Sequence, residues 1–215
     1  GFPSGPKGAA LSGHTYPQLA QRLSVEAGWS VLAFNFRGTG DSTGDFSLAG
    51  WRDDIRSVLE HCADTDLAPD GIWLAGFDLG GSLALCVAGG DDQVRGVASF
   101  AAPADFGPLN LDSRFLERAR GLGVITTKGF PADEEAWTKE LEVIRPLDEV
   151  ARIGPRPVLI VHGSEDERLP VLDARLLADA AGPGAELRVL TGAGHRLRHD
   201  PRAVAVLLGW LDRQA

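Results

Sequence analysis

The stretch Gly76-Phe77-Asp78-Leu79-Gly80-Gly81 sets one reactive side chain among glycines. It follows the apolar run Gly71-Ile72-Trp73-Leu74-Ala75 and precedes Ser82-Leu83-Ala84-Leu85-Cys86-Val87-Ala88. This pattern predicts a buried strand, a sharp turn and a buried helix, with Asp78 at the tip of the turn. A turn this tight brings backbone against backbone, so bulkier residues at Gly76 and Gly80 are expected to collide with it. The residue type at the tip sets the chemistry. A serine activated by histidine attacks carbonyl carbon. A carboxylate is better suited to displacing a leaving group from saturated carbon, because it gives an ester that water can then open.

The surrounding chain must hold that turn rigid. Strand and helix patterns alternate, which implies a mainly parallel sheet with helices on both faces. Helices are predicted over residues 16–27, 49–63, 79–89, 171–181 and 201–212. Strands are predicted over 29–36, 72–77, 94–101, 157–162 and 186–190. The run WSVLAFNF at 29–36 reads as a buried strand from its apolar content and its flanking Gly28 and Gly38. Asp200 and Pro201 are good start signals for the last helix. Between about residues 103 and 155 the rhythm is interrupted by two further helical patterns, 114–120 and 133–144, the second with an apolar stripe of Trp137, Leu141 and Ile144. The whole reads as one domain, 1–215.

Composition narrows the function classes. With 215 residues, 44% hydrophobic and 24% charged, the chain has enough apolar mass for one substantial core. A net charge of −9 argues against nucleic acid or an anionic membrane surface as partner. No apolar run approaches the roughly 18 residues needed to cross a bilayer. Cys62 and Cys86 fall in separate helical patterns with no metal-type spacing, which reads as two free buried thiols in a reducing, cytoplasmic setting. His199 follows His195 at a metal-like spacing, but Arg196 and Arg198 beside it would repel a cation. No metal or cofactor is implied. The chain contains no methionine, which agrees with a native start upstream of Gly1.

Five motifs, in order, resemble the α/β-hydrolase superfamily. Gly1-Phe2-Pro3 is similar to the end of its His-Gly-x-Pro oxyanion segment. Phe36-Arg37-Gly38-Thr39-Gly40-Asp41-Ser42 resembles its Arg-Gly-x-Gly-x-Ser loop. Gly76–Gly80 resembles the nucleophile elbow, His162-Gly163-Ser164-Glu165-Asp166 the acid loop, and Gly192-Ala193-Gly194-His195 the histidine loop. The resemblance implies that Asp78 is the nucleophile, His195 the general base and Asp166 the group orienting the imidazole. It implies oxyanion donors at the backbone N–H of Leu79 and near Phe2. It implies a lid at about 103–155 and a strand lying between 29–36 and the elbow strand, with two or three strands preceding Gly1.

The expected activity is therefore hydrolysis of a small, mostly apolar, ester-like substrate through Asp78, His195 and Asp166. Two alternatives stay open. One is an aspartate-nucleophile enzyme of epoxide or haloalkane type; against it, Tyr16 lies outside the lid, Leu79 stands where a halide-binding tryptophan is common, and Trp137 is left as the one obvious donor. The other is a non-catalytic protein of this fold that binds a ligand or partner. Arg37 reads as a structural ion pair, His162 as a packed structural histidine, and His14 as a neighbour of the first helix cap.

Overall fold

A computed structural model describes residues 2–3, 15–65 and 67–214 of the protein. Gly1, the first residue of the oxyanion segment, and His14 lie outside the described residues. Four parallel strands form one sheet: β1 (Ile72–Phe77), β2 (Val94–Phe100), β3 (Val158–Gly163) and β4 (Ala185–Leu190), in that spatial order. Their side chains alternate between two apolar layers, as the period of a strand demands. In β3, Val158 and Ile160 join one layer while Leu159 and Val161 join the other.

The first layer holds α2 (Leu48–Asp64), α3 (Leu79–Gly90) and α7 (Val171–Ala181). It also holds the helices of the long connection from β2 to β3: α4 (Ser113–Gly121), α5 (Glu134–Val143) and α6 (Pro146–Val150). The second layer holds α1 (Thr15–Ala27) and α8 (Pro201–Asp212), which contribute Leu19, Leu23, Leu207 and Trp210. Helix α3 is apolar all round, with Leu79 through Ala88 buried, as a helix inserted between sheet and outer helices must be. Side-chain caps open several helices: Ser47 accepts from Gly50 N–H, Asp112 from Phe115, Asp133 from Ala136 and Asp200 from Arg202.

One predicted strand does not form. Residues 29–36 belong to no sheet, and Val31, Leu32 and Phe34 are exposed. Both ends are pinned. Trp29 packs edge-on against Trp73 at 5.8 Å, and Phe36 stacks on Trp51 at 4.6 Å. Arg37 forms the ion pair with Asp54 at 2.7 Å. Between this segment and β1 runs a cleft of about 820 Å³ lined by Trp29, Val31, Phe34, Trp73 and Ala75. A strand exists by pairing, and across that gap no described backbone reaches the segment. β1 is consequently an edge of the sheet among the described residues.

Arg156, just before β3, ties the far end of α3 to the sheet. Its guanidinium donates to the carbonyls of Ala88 (2.7 Å), Asp91 (2.7 Å) and Val94 (2.8 Å). Ala88 and Asp91 lie at the C-terminus of α3, where helix carbonyls lack partners and a cation is favoured, and Val94 opens β2. Arg156→Met keeps the stem and removes the donors. It should lower stability by about 2 kcal/mol in urea unfolding, with the slope of the transition unchanged.

Candidate active site

The turn after β1 is held from both sides. Asp78 N–H donates to Phe100 O on β2 (2.9 Å), and Gly81 N–H donates to Asp78 O (2.8 Å). Asp78 itself sits at φ 56°, ψ −133°, a region costly for a residue with a side chain. A Cβ on Gly76 would lie 2.4 Å from Gly80 O, so that glycine is required. The matching expectation for Gly80 is not met, since a Cβ there meets only the Phe36 ring at 3.7 Å. The crowding falls one residue later, on Gly81, where a Cβ would lie 2.8 Å from Ser99 Oγ and 3.0 Å from Gly76 O. The chain turns into α3 there, and Gly81 is the residue that passes against β2.

Two other loops leave the same end of the sheet. After β3, Asp166 points inward with its side chain fully buried, and its Oδ1 accepts from the N–H groups of Arg168 and Leu169, each at 2.9 Å. After β4 comes the loop carrying His195, bound to the acid loop by Glu165 N–H to Ala193 O (2.9 Å) and Gly192 N–H to Ser164 Oγ (2.8 Å). A Cβ on Gly163 would lie 2.2 Å from Ala193 O, so the two loops are in backbone contact. His195 Nδ1 stands 2.9 Å from Asp166 Oδ2, and its Nε2 stands 3.8 Å from Asp78 Oδ2. Asp78, Asp166 and His195 thus meet, from positions 78, 166 and 195. Leu79 follows as the first residue of α3, so its N–H has no partner within the helix. The ring of Phe2 is docked among Phe46 (5.0 Å), Phe115 (4.9 Å) and Trp51 (6.2 Å).

The electrostatics follow from this geometry. Burial opposes charge on His195, but the adjacent carboxylates of Asp78 and Asp166 outweigh it and raise its pKa. Burial likewise opposes charge on Asp78, yet the His195 imidazole and the field of Arg168 hold its carboxyl below the usual range. Two other groups near the elbow are poorly suited to attack a substrate. Cys86 is buried and its thiol is pushed up to about 12, while the Ser82 hydroxyl is buried and donates to Pro103 O at 2.6 Å. Among the described residues, no group of three or more His, Cys, Asp or Glu side chains is placed to hold a metal. Among the same residues, no helix is long and apolar enough to cross a membrane.

The fold and the order of the motifs agree with the comparisons. The model of the alpha/beta hydrolase family matches residues 6–207. The chain belongs to that family. Similar curated proteins include the uncharacterized protein YfhR of Salmonella typhimurium, 28% identical over 174 residues, 76% of this chain and 54% of that one. YfhR of Escherichia coli O157:H7 is 30% identical over 149 residues, 67% and 45% of the two chains. The chain thus spans about half the length of the curated relatives it matches. Similar solved structures include the esterase domain of a Rhodothermus marinus protein, with TM-score 0.66 and 23% identity over 94% of this chain and 79% of that one. The monoacylglycerol lipase of Paleococcus ferrophilus has TM-score 0.63 and 22% identity, covering 95% and 90%. At these identities the two structures speak for the fold.

Several groups around the site escaped the sequence reading. Glu167 accepts from His195 N–H at 3.3 Å. The Tyr16 ring packs 6.1 Å from Phe77, and Arg198 lies within electrostatic range of its hydroxyl. Burial raises the Tyr16 pKa, Arg198 opposes this and Asp78 adds to it, which puts the phenol within electrostatic reach of the elbow. His162 touches Asp166 directly, at 3.3 Å. The one available signal was spacing: Glu167 follows Asp166, and Arg198 lies one helical turn beyond His195.

The His195–Asp78 pair has a defined pH window. The raised His195 pKa contributes stability that is complete below 6.5 and lost as pH rises through the folded value. The lowered Asp78 pKa contributes stability that is complete above 3.8 and lost as pH falls through the folded value. NMR titration should therefore place the His195 midpoint above 6.5, and Asp78→Asn should lower it. In urea unfolding, the stability difference between the parent and Asp78→Asn should be greatest between pH 3.8 and 6.5.

Proposed function

We propose that this chain hydrolyses a small, mostly apolar, ester-like substrate in two steps, with Asp78 as nucleophile and His195 first as acid and then as base. The observation that supports it is the arrangement of one imidazole between the carboxyl group at the elbow and a second, fully buried one. At rest the pair is Asp78 carboxylate and His195 imidazolium. In the first step an Asp78 oxygen forms a bond to the substrate carbon while the bond to the leaving oxygen breaks. His195 gives that oxygen its proton.

Esterification removes the charge on Asp78. His195 then keeps one carboxylate neighbour instead of two, so its pKa falls and it becomes a competent base. It takes a proton from water as the water oxygen attacks the Asp78 ester, restoring the carboxylate and releasing the alcohol. Asp166 holds Nδ1 and orients the imidazole in both steps. The Leu79 N–H, with a donor near Phe2, is the proposed stabiliser of the oxyanion formed in the second step. We assign the 103–155 connection as the apolar side of the substrate site, because Phe115 on α4 meets the Phe2 ring.

Halide displacement is disfavoured by the fate of the indoles. Trp137 is buried and its Nε1–H donates to Phe46 O at 3.3 Å, while Trp51 Nε1–H donates to Arg37 O at 3.0 Å. Neither is free to hold a leaving halide.

The test is a single turnover in ¹⁸O-water with a panel of small aliphatic esters and epoxides. Mass spectrometry should find the label in the Asp78 peptide and not in that of Asp166. Turnover without label in Asp78 would overturn the nucleophile assignment. A serine-type reading is favoured by the esterase and lipase folds that resemble this one, and Asp78→Ser separates it. On the two-step aspartate reading that variant loses activity at least about 100-fold. A folded Asp78→Ser protein that gains hydrolysis of p-nitrophenyl acetate would identify a serine-hydrolase pocket instead.

A further inference from the structure

The carboxylate of Asp166 receives more than His195. His162, at the end of β3, is completely buried, and its Nε2 stands 3.1 Å from Leu169 O and 3.3 Å from Asp166 Oδ2. Both neighbours accept hydrogen bonds. Leu169 O can only accept, so Nε2 must carry the proton, which leaves Nδ1 as a bare lone pair in the neutral ring. That Nδ1 is buried and has no partner among the described residues. A residue that served only to fill this space would be apolar. An imidazole here leaves one nitrogen desolvated and unpaired, at a cost of order 1–3 kcal/mol, and what it provides in exchange is the single donor aimed at the acid loop.

From this we infer that His162 is a positioning residue for Asp166, a second histidine that clamps the acid of the site from the side opposite His195. The clamp acts at two points. Leu169 N–H holds Asp166 Oδ1 while Leu169 O is held by His162. The same ring nitrogen stands 3.3 Å from Asp166 Oδ2, the oxygen that His195 Nδ1 uses, and so packs against the carboxylate while its proton is given to Leu169 O. The carboxylate is thereby fixed in rotation, with two backbone donors on one oxygen, His195 hydrogen-bonded to the other, and His162 packed beside it and bonded to Leu169 O. The charged groups facing this pair are Asp173 from α7, Asp105 beyond it, and Arg168 and Glu167 of the acid loop itself. Asp173 lies within electrostatic range of both His162 and Asp166 and bonds Ala104 N–H at 3.3 Å. The result is a row His162–Asp166–His195–Asp78 in which imidazoles and carboxylates alternate. Its outermost member touches no reacting atom.

The inference rests on the site proposed above, and its test needs no turnover. In the intact protein, ¹⁵N NMR of the histidine rings should find the His162 Nε2 carrying a proton; an Nε2 without a proton would overturn the clamp. His162→Leu should free Asp166 to rotate, lowering the His195 pKa by about one unit and broadening its Nδ1 proton signal. His162→Gln, whose amide restores a donor at similar reach, should recover most of both. An unchanged or higher His195 pKa in folded His162→Leu would make His162 core filling and nothing more. If the leucine variant does not fold, the tautomer in the parent protein decides alone. Absence of ¹⁸O in Asp78 would strike the nucleophile assignment and leave these NMR outcomes untouched.

Discussion

One imidazole held between two carboxylates organises this molecule. His195 has Asp166 at 2.9 Å on one nitrogen and Asp78 at 3.8 Å on the other, and little water reaches any of them. Buried charge is tolerated only when paired, so each of the three groups depends on the others for its ionisation state. That mutual dependence requires three loops, separated by up to 117 residues of chain, to meet at one point. The rest of the architecture can be understood as what keeps them there.

Parallel strands are the means. Every strand runs the same way, so every strand-to-helix turn emerges at the same end of the sheet, and loops distant in sequence become neighbours. Each loop is then fixed by backbone bonds to the next: the elbow to β2 through Asp78 N–H, and the acid loop to the histidine loop through Glu165 N–H. The strained backbone of Asp78 is held in the same way, with Phe100 O in front of it and the first turn of α3 behind. Local strain is carried by a turn that leads into α3, the helix buried from Leu79 through Ala88.

Much of this is written locally in the sequence and some of it is not. Strands β1 to β4 and helices α3, α7 and α8 could be read because apolar runs, glycines and caps specify them residue by residue. The region 29–36 has the same apolar signature, yet being a strand requires a paired neighbour, and composition carries no information about pairing. Gly80 and Gly81 illustrate a finer limit. Both are glycines in one motif, and only the direction in which the chain enters α3 decides that Gly81 meets Ser99 and Gly76 O. Asp78, Asp166 and His195 stood out because each occupies a recognisable loop. His162, Glu167 and Tyr16 did not, because their partners are set by how neighbouring loops fold back. A histidine inside a strand looks the same in sequence whether it fills space or holds a carboxylate.

The edge position of β1 has a consequence for the elbow. A strand bonded on one side leaves a row of amide and carbonyl groups open, and here an apolar cleft runs alongside it. Among the described residues such an edge is open to other extended segments, and it belongs to the strand that leads into Asp78. Anything that lays backbone along β1 stiffens the base of the elbow, and anything that peels β1 from β2 releases the Phe100 carbonyl that holds Asp78 in its strained turn.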